Sequence, residues 1–386
     1  MKILIIRTVP SCMEVKNSTY NLQEVGLAKA LVRRGNICDI LFWTDQKEKK
    51  ISIPVDDCGK VRVFYKKGKA FLKNAVYTGC EGLFAGYDIL QPAEYNQMQS
   101  WLLAKNHPEK TIIYHGPYYS PFNKRYNLMC RAFDAVFLPQ YRRQGTRFLV
   151  KSRMAEEFLA EKGIAEEHIA AVGVGMDAQM LSSGSAECRE PFYRAMKSDA
   201  ASLKLLYIGR LEERRNIPFL FDVLAEVLRR EPGAKLYMIG NGDREYVKGA
   251  FSRAESLGIR ESIVWKKEVQ QKDLSGIYQL ADFFLLPTEY EIFGMVLLES
   301  MYYRNVVLTT RNGGSSTLME SGADGFIMDS LNAARWAETI LSIQKDPEKK
   351  HEIGEKAHKK ISDEYTWDRR AGFFEEQYRK LLRDGS

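Results

Sequence analysis

The chain has 386 residues, 45% of them hydrophobic, with 57 Lys and Arg against 50 Asp and Glu. That length exceeds one ordinary core and suits two α/β domains, and the apolar content argues against global disorder. The charge is uneven: residues 1–155 carry 25 Lys and Arg against 12 Asp and Glu, which favours an anionic membrane or acceptor beside the N-terminal half and serves solubility equally well.

The chain opens with MKILIIRT, an apolar run of four before Arg7. That run is too short for a secretory signal or a membrane span, so a cytoplasmic protein, with peripheral contact at the inner face of a membrane, is expected. The runs 3–6, 38–43, 87–90, 111–114 and 135–138 read as buried parallel strands. Between the first two, Leu22, Val25, Leu27, Ala28, Leu31 and Val32 fit one face of a helix that Gly35 would stop. Strand, helix, strand in this order predicts a right-handed crossover and a parallel sheet. Residues 181–200 break the pattern and are expected to be a linker. A second alternating series follows, with strands at 203–211, 235–240, 263–265, 282–287, 306–310 and 325–328 and a helix at 216–230. The expected fold is therefore α/β, with two Rossmann-like doubly wound domains, 1–180 and 201–364, facing a cleft. The six cysteines, Cys12, Cys38, Cys58, Cys80, Cys130 and Cys188, form no C-x-x-C pair and suit reduced thiols. The five histidines show no zinc spacing.

The segment Glu291 to Glu299 carries the sharpest chemical signal. Phe293-Gly294 follows the strand DFFLLP and opens an apolar helix from Met295 to Tyr303. Gly294 lets backbone approach a ligand, and the free N–H groups of Phe293, Gly294, Met295 and Val296 suit a phosphate. Glu299 lies about 7.5 Å further along the helix, within reach of a ribose. A Glu among apolar residues needs a hydrogen-bonding partner. Sugar hydroxyls would supply one, and so would an Arg elsewhere in the chain. His115 ends the strand TIIY and precedes Gly116-Pro117-Tyr118-Tyr119, so it sits where open α/β sheets bind ligands. Asn17, Ser18 and Asn21 open the first helix, where they could meet an acceptor or simply cap the helix.

The second half resembles the nucleotide-binding domain of retaining glycosyltransferase family 4, which has the GT-B fold. The resemblance rests on Gly209-Arg210-Leu211 with Arg215 five positions after the first Arg, on Ile239-Gly240-Asn241-Gly242, and on the Glu291–Glu299 segment. Leu27-Ala28-Lys29-Ala30-Leu31, Val174-Gly175-Met176-Asp177 and Tyr365-Thr366-Trp367 extend it over most of the chain. It implies that Gly209, Arg210, Arg215, Gly240, Phe293, Gly294, Met295, Val296 and Glu299 bind the donor, with the diphosphate on the arginines and the ribose on Glu299. It implies that Glu291 contacts the transferred sugar and that His115 lies near it. Tyr118, Asn17, Ser18 and Asn21 fall on the acceptor side. A last helix, 365–386, would cross back to the N-terminal domain. The chain departs from the pattern in its glycine-free first loop, in Tyr302, Arg304 and Val306 after Glu299, and in Thr317 after Gly313-Gly314.

The expected activity is transfer of a sugar, with retained configuration, from a nucleoside-diphosphate sugar to a glycan, glycolipid or small-molecule hydroxyl in cell-surface synthesis. No metal is expected, since no Asp-x-Asp motif occurs; no cofactor and no nucleic-acid partner are expected either. A catalytically silent sugar-nucleotide-binding subunit and a nucleotide-sugar epimerase of similar fold are the alternatives.

Overall fold

The computed structural model describes residues 1–10, 22–71, 74–177 and 190–384. The chain divides into two units, Met1–Met176 with Tyr365–Ser386, and Asp177–Glu364. Among the described residues no helix is long and apolar enough to cross a membrane. Cys38, Cys58, Cys80 and Cys130 are free thiols.

The first unit contains strands β1 (Lys2–Pro10), β2 (Ile37–Trp43), β3 (Lys49–Val55), β4 (Gly59–Lys66), β5 (Lys69–Phe71), β6 (Asn74–Val76), β7 (Ile89–Pro92), β8 (Ile112–His115), β9 (Arg147–Val150) and β10 (Ile169–Ala171). They form the orders β3-β4-β2-β1-β7 and β8-β9-β10, with β5 and β6 as a separate hairpin. Parallel bridges Leu90↔Thr111 and Ala93↔Tyr114 link β7 to β8. All pairs in the two larger groups are parallel except β3 with β4. The helix Gln23–Arg33 buries Leu27, Ala28, Leu31 and Val32, as the helical spacing of those residues predicts.

The run 135–138 is not a strand. It joins two helices, Lys124–Val136 and Leu138–Gln144. A four-residue apolar run carries no period that separates strand from helix. Here Phe133 and Cys130 lie one turn apart on a buried helical face, and Pro139 sits in the first turn of the next helix, where its missing N–H costs nothing. The strand comes later, at β9. The last helix, Trp367–Asp384, packs in this unit: Arg34 Nε lies 2.7 Å from Glu375 Oε2, and Arg370 Nη1 donates to the Val172 carbonyl at 3.1 Å.

The second unit contains β11 (Leu203–Ile208), β12 (Ala234–Ile239), β13 (Ile263–Lys266), β14 (Phe283–Leu286), β15 (Val306–Thr310) and β16 (Phe326–Met328). Their order is β13-β12-β11-β14-β15-β16, parallel throughout. This is a doubly wound sheet whose order reverses between β11 and β14, and the loops leaving those two strands flank its ligand crevice. Leu205, Leu206, Tyr207, Phe283, Phe284 and Leu285 are fully buried, and burying each such side chain contributes about 1.5–3 kcal/mol. Of the expected linker 181–200, the described part, from residue 190 on, is mostly helical. Pro191–Ser198 is a helix of this unit, with Phe192 and Met196 buried and the Phe192 ring 6.0 Å from that of Tyr237. Pro191 at its start and apolar residues four apart give it a helical stripe that a reading of its polar neighbours overlooked.

The helix Met295–Tyr302 ends in an unusual way. Asn305 N donates to the Ser300 carbonyl and Arg304 N to that of Met301, both at 3.1 Å. This paired closure requires a left-handed residue, which is usually Gly. Here it is Arg304, at φ 66. The replacement seen in the sequence leaves the backbone path intact.

Candidate functional site

The loops after β11 and β14 converge on a cluster of charges. Arg215 is buried, and its Nη2 lies 2.5 Å from Glu291 Oε2. Its Nε and Nη1 are buried with no hydrogen-bond partner among the described residues. Burial works against the charge of Arg215, but Glu291 and neighbouring groups outweigh it and raise its pKa. Arg214 runs alongside, with Nη1 3.9 Å from Glu291 Oε2, Nη2 2.6 Å from Glu212 Oε1, and a hydrogen bond to the Tyr290 carbonyl. Glu289 N and Thr288 Oγ1 donate to the Arg214 carbonyl at 3.0 and 3.2 Å, tying the two loops together.

Arg210 stands apart. Its carbonyl accepts from Tyr207 Oη at 2.7 Å, but its side chain is 70% exposed, with Nε 3.8 Å from Glu212 Oε2. Gly209 N donates to the Ile239 carbonyl at 2.9 Å. A Cβ on Gly240 would fall 1.7 Å from the Gly209 carbonyl oxygen, so close approach of two backbones by itself requires glycine there.

Gly294 opens the helix Met295–Tyr302 at φ 79. The amides of Phe293, Gly294, Met295 and Val296 make no backbone hydrogen bond among the described residues, as the first turn of a helix dictates. Gly313 and Gly314 hold this loop from behind. A Cβ on Gly314 would lie 1.8 Å from the Phe293 carbonyl oxygen, and Gly313 N donates to the Glu291 carbonyl at 3.0 Å. Four donors, a helix dipole and a buried Arg thus meet at the switch point, an arrangement that suits a diphosphate.

Glu299 is buried one turn further on. Tyr278 Oη donates to its Oε2 at 2.9 Å and Gln271 Nε2 to its Oε1 at 3.4 Å. Burial pushes its pKa up to about 7 against these two hydrogen bonds. The expected alternative, an Arg partner, is replaced by a Tyr and a Gln.

In the first unit His115 is fully buried at the end of β8. Its Nδ1 lies 2.8 Å from Glu94 Oε2, which also accepts from Gly116 N at 3.1 Å. A carboxylate only accepts, so His115 Nδ1 carries the hydrogen of this bond. The ring's Nε2 is buried with no hydrogen-bond partner among the described residues. Partial burial would by itself raise the pKa of Glu94, whose side chain is 15% exposed, but His115, Lys151 and Arg7 hold it down to about 2. Glu94 also adopts φ 61, a left-handed backbone rare for Glu and often found at functional sites. Sequence reasoning missed both Glu94 and Lys151. The available signal was that each lies just beyond the carboxyl end of a strand, as His115 does at the end of its own. Tyr118 is buried, while Tyr119 is the exposed member of the pair. Asn17, Ser18 and Asn21 lie outside the described residues.

Residues 192–360 match the glycosyl transferases group 1 family. Over 190 residues the chain is 26% identical to D-inositol 3-phosphate glycosyltransferase of Segniliparus rotundus, covering 49% of this chain and 42% of that one. Over 213 residues it is 27% identical to the protein of the same name from Corynebacterium urealyticum, covering 54% and 50%. The matched stretch thus spans about half the length of these relatives. Anabaena HepE in complex with UDP superposes with a TM-score of 0.75 at 16% identity, covering 98% of this chain and 100% of that one. A glycosyltransferase from Rickettsia africae superposes at 0.73, with 18% identity and 99% of each chain covered. The C-terminal unit therefore carries a glycosyl transferases group 1 domain, in a chain with the two-unit GT-B fold.

Proposed function

We propose that the chain transfers a glycosyl group from a nucleoside-diphosphate sugar to an acceptor hydroxyl, with retention of configuration. Buried Arg215, paired to Glu291 and with two nitrogens unpartnered among the described residues, together with the open amides of 293–296, is the observation that carries this reading. In the reaction the acceptor oxygen bonds to the anomeric carbon on the face the diphosphate leaves. The leaving group takes the bonding pair, and the acceptor proton passes to a departing phosphate oxygen. Arg215 and the helix start balance the developing charge and need no reorganisation to do so. Arg210, exposed at the rim, closes on the phosphates. Glu299 accepts from ribose hydroxyls, and Glu291, on the same loop, contacts the sugar. His115 presents its Nε2 to a hydroxyl of the reacting sugars. The chemistry needs no cofactor or metal. UDP is the first nucleotide to test, because HepE is held with it. The acceptor is a glycan, glycolipid or small molecule of cell-surface synthesis, met by the basic N-terminal unit at the inner face of a membrane.

The test is calorimetric titration of UDP, then GDP, into the chain, followed by NMR assignment of the product anomer. Binding of one nucleotide with a retained anomer is expected. Absence of binding by every nucleoside diphosphate overturns the donor site, and an inverted anomer overturns the mechanism.

A further inference from the structure

The N-terminal unit presents a surface that the donor site does not use. Seven large hydrophobic side chains are exposed among the described residues, and four of them, Tyr119, Phe122, Leu128 and Val136, fall between residues 119 and 136. Leu128 and Val136 stand out at 68% and 67% exposure. Both belong to the helix Lys124–Val136.

At 100° per residue the helix has two distinct faces. Cys130 and Phe133 point inward, with the Phe133 ring 5.7 Å from Tyr95 and 4.7 Å from Phe137. Lys124, Arg125, Leu128, Arg131 and Val136, with two alanines, point outward and are exposed. No acidic residue lies on that outer face. The helix's one acid, Asp134, sits on the flank and pairs with Lys162. The side chains of Lys124, Arg125 and Arg131 form no ion pair or hydrogen bond among the described residues.

A water-facing helix ordinarily mixes both charge signs three or four residues apart. This one instead sets three uncompensated cations around outward aliphatic side chains. A soluble polyanion would meet the cations but has no use for Leu128 and Val136. An anionic bilayer surface meets both, since phosphates attract the cations and the headgroup–acyl boundary accepts the aliphatic groups.

We propose that the outer face of the helix Lys124–Val136 docks the chain on an anionic lipid surface, with Leu128 and Val136 entering the interface and Lys124, Arg125 and Arg131 meeting lipid phosphates. This deepens the reading of the basic unit as the membrane and acceptor side, and rests on it.

The test is flotation of the full chain with vesicles of phosphatidylglycerol and, separately, of phosphatidylcholine. Flotation with phosphatidylglycerol only, weakened by salt, is expected. The triple variant Lys124→Glu, Arg125→Glu, Arg131→Glu and the double variant Leu128→Ser, Val136→Ser should each lower partition by about tenfold or more. All the altered side chains are exposed, and circular dichroism checks that the variants fold. Failure of the unaltered chain to float overturns the proposal, as does wild-type partition in either variant. Sedimentation without vesicles detects the other occupant, a second copy of the chain. A dimer that both variants dissolve, with no flotation, also overturns the proposal. UDP titration of the same proteins separates the two readings: flotation without UDP binding would sink the donor site and leave the docking face standing.

Discussion

Replacing Glu299 by Gln should make the second unit more stable at pH 8, not less. The carboxyl is buried, with Tyr278 and Gln271 as its side-chain hydrogen-bond partners among the described residues, and burial raises its pKa from 4.5 to about 7. The folded state therefore holds a proton that the unfolded chain gives up above pH 4.5. Where the native state binds more protons, stability falls as pH rises. The loss begins near pH 4.5 and is complete above about pH 7. At about 1.4 kcal/mol for each tenfold change in proton affinity, it totals about 3 kcal/mol. Gln is neutral throughout and cannot lose it. Its carbonyl can still accept from Tyr278, and Gln271 can turn its amide to offer Oε1, a buried atom that now has no partner. The assay is the thermal midpoint of the unliganded chain, wild type and Glu299→Gln, from pH 5 to pH 8. For a unit of this size about 3 kcal/mol corresponds to roughly 6–12 °C. The two should agree at pH 5 and diverge progressively in favour of Gln up to pH 8. Parallel curves would refute the argument and mean that Glu299 ionises as freely as an exposed carboxylate.

Arg215→Met should weaken UDP binding by about tenfold or more, since a charge-assisted hydrogen bond is worth about 1.5–3 kcal/mol. Arg210→Ala should cost less because its side chain is exposed; calorimetry that ranks the two equally would remove the distinction. Activity should persist in EDTA, and a loss restored by Mn²⁺ would implicate a metal in balancing the leaving group. Glu94→Gln should lower kcat by on the order of tenfold with UDP affinity unchanged, and ¹⁵N shifts of the His115 ring should show the tautomer mixture change; unchanged shifts would reduce Glu94 to a structural role. Arg304→Gly should stabilise the chain by about 1 kcal/mol, the cost of a side chain in a left-handed position, offset in part by losing the exposed pair with Glu355. A lower midpoint in chemical denaturation would show that the pair outweighs the backbone strain.

What the sequence by itself determined is local. Apolar runs of parallel-strand type, most of them followed by a Gly, Pro or Asn near the start of the next helix, specify most of the second unit, because strand and helix periods and backbone freedom are properties of neighbouring residues. The helix-opening turn at Phe293–Gly294 was legible for that reason. The run 135–138 was misread because four residues carry no period. Tertiary structure alone decided which charges meet. Arg215 and Glu291 are 76 positions apart, and no local pattern pairs them. The neighbours of Glu299 turned out to be Tyr278 and Gln271, so only the fold could fix its protonation. Glu94 reaches His115 because β7 and β8 lie side by side. Even the glycines behind the donor loop owe their identity to backbones brought together from distant segments, where the space for a Cβ vanishes only once the chain has folded.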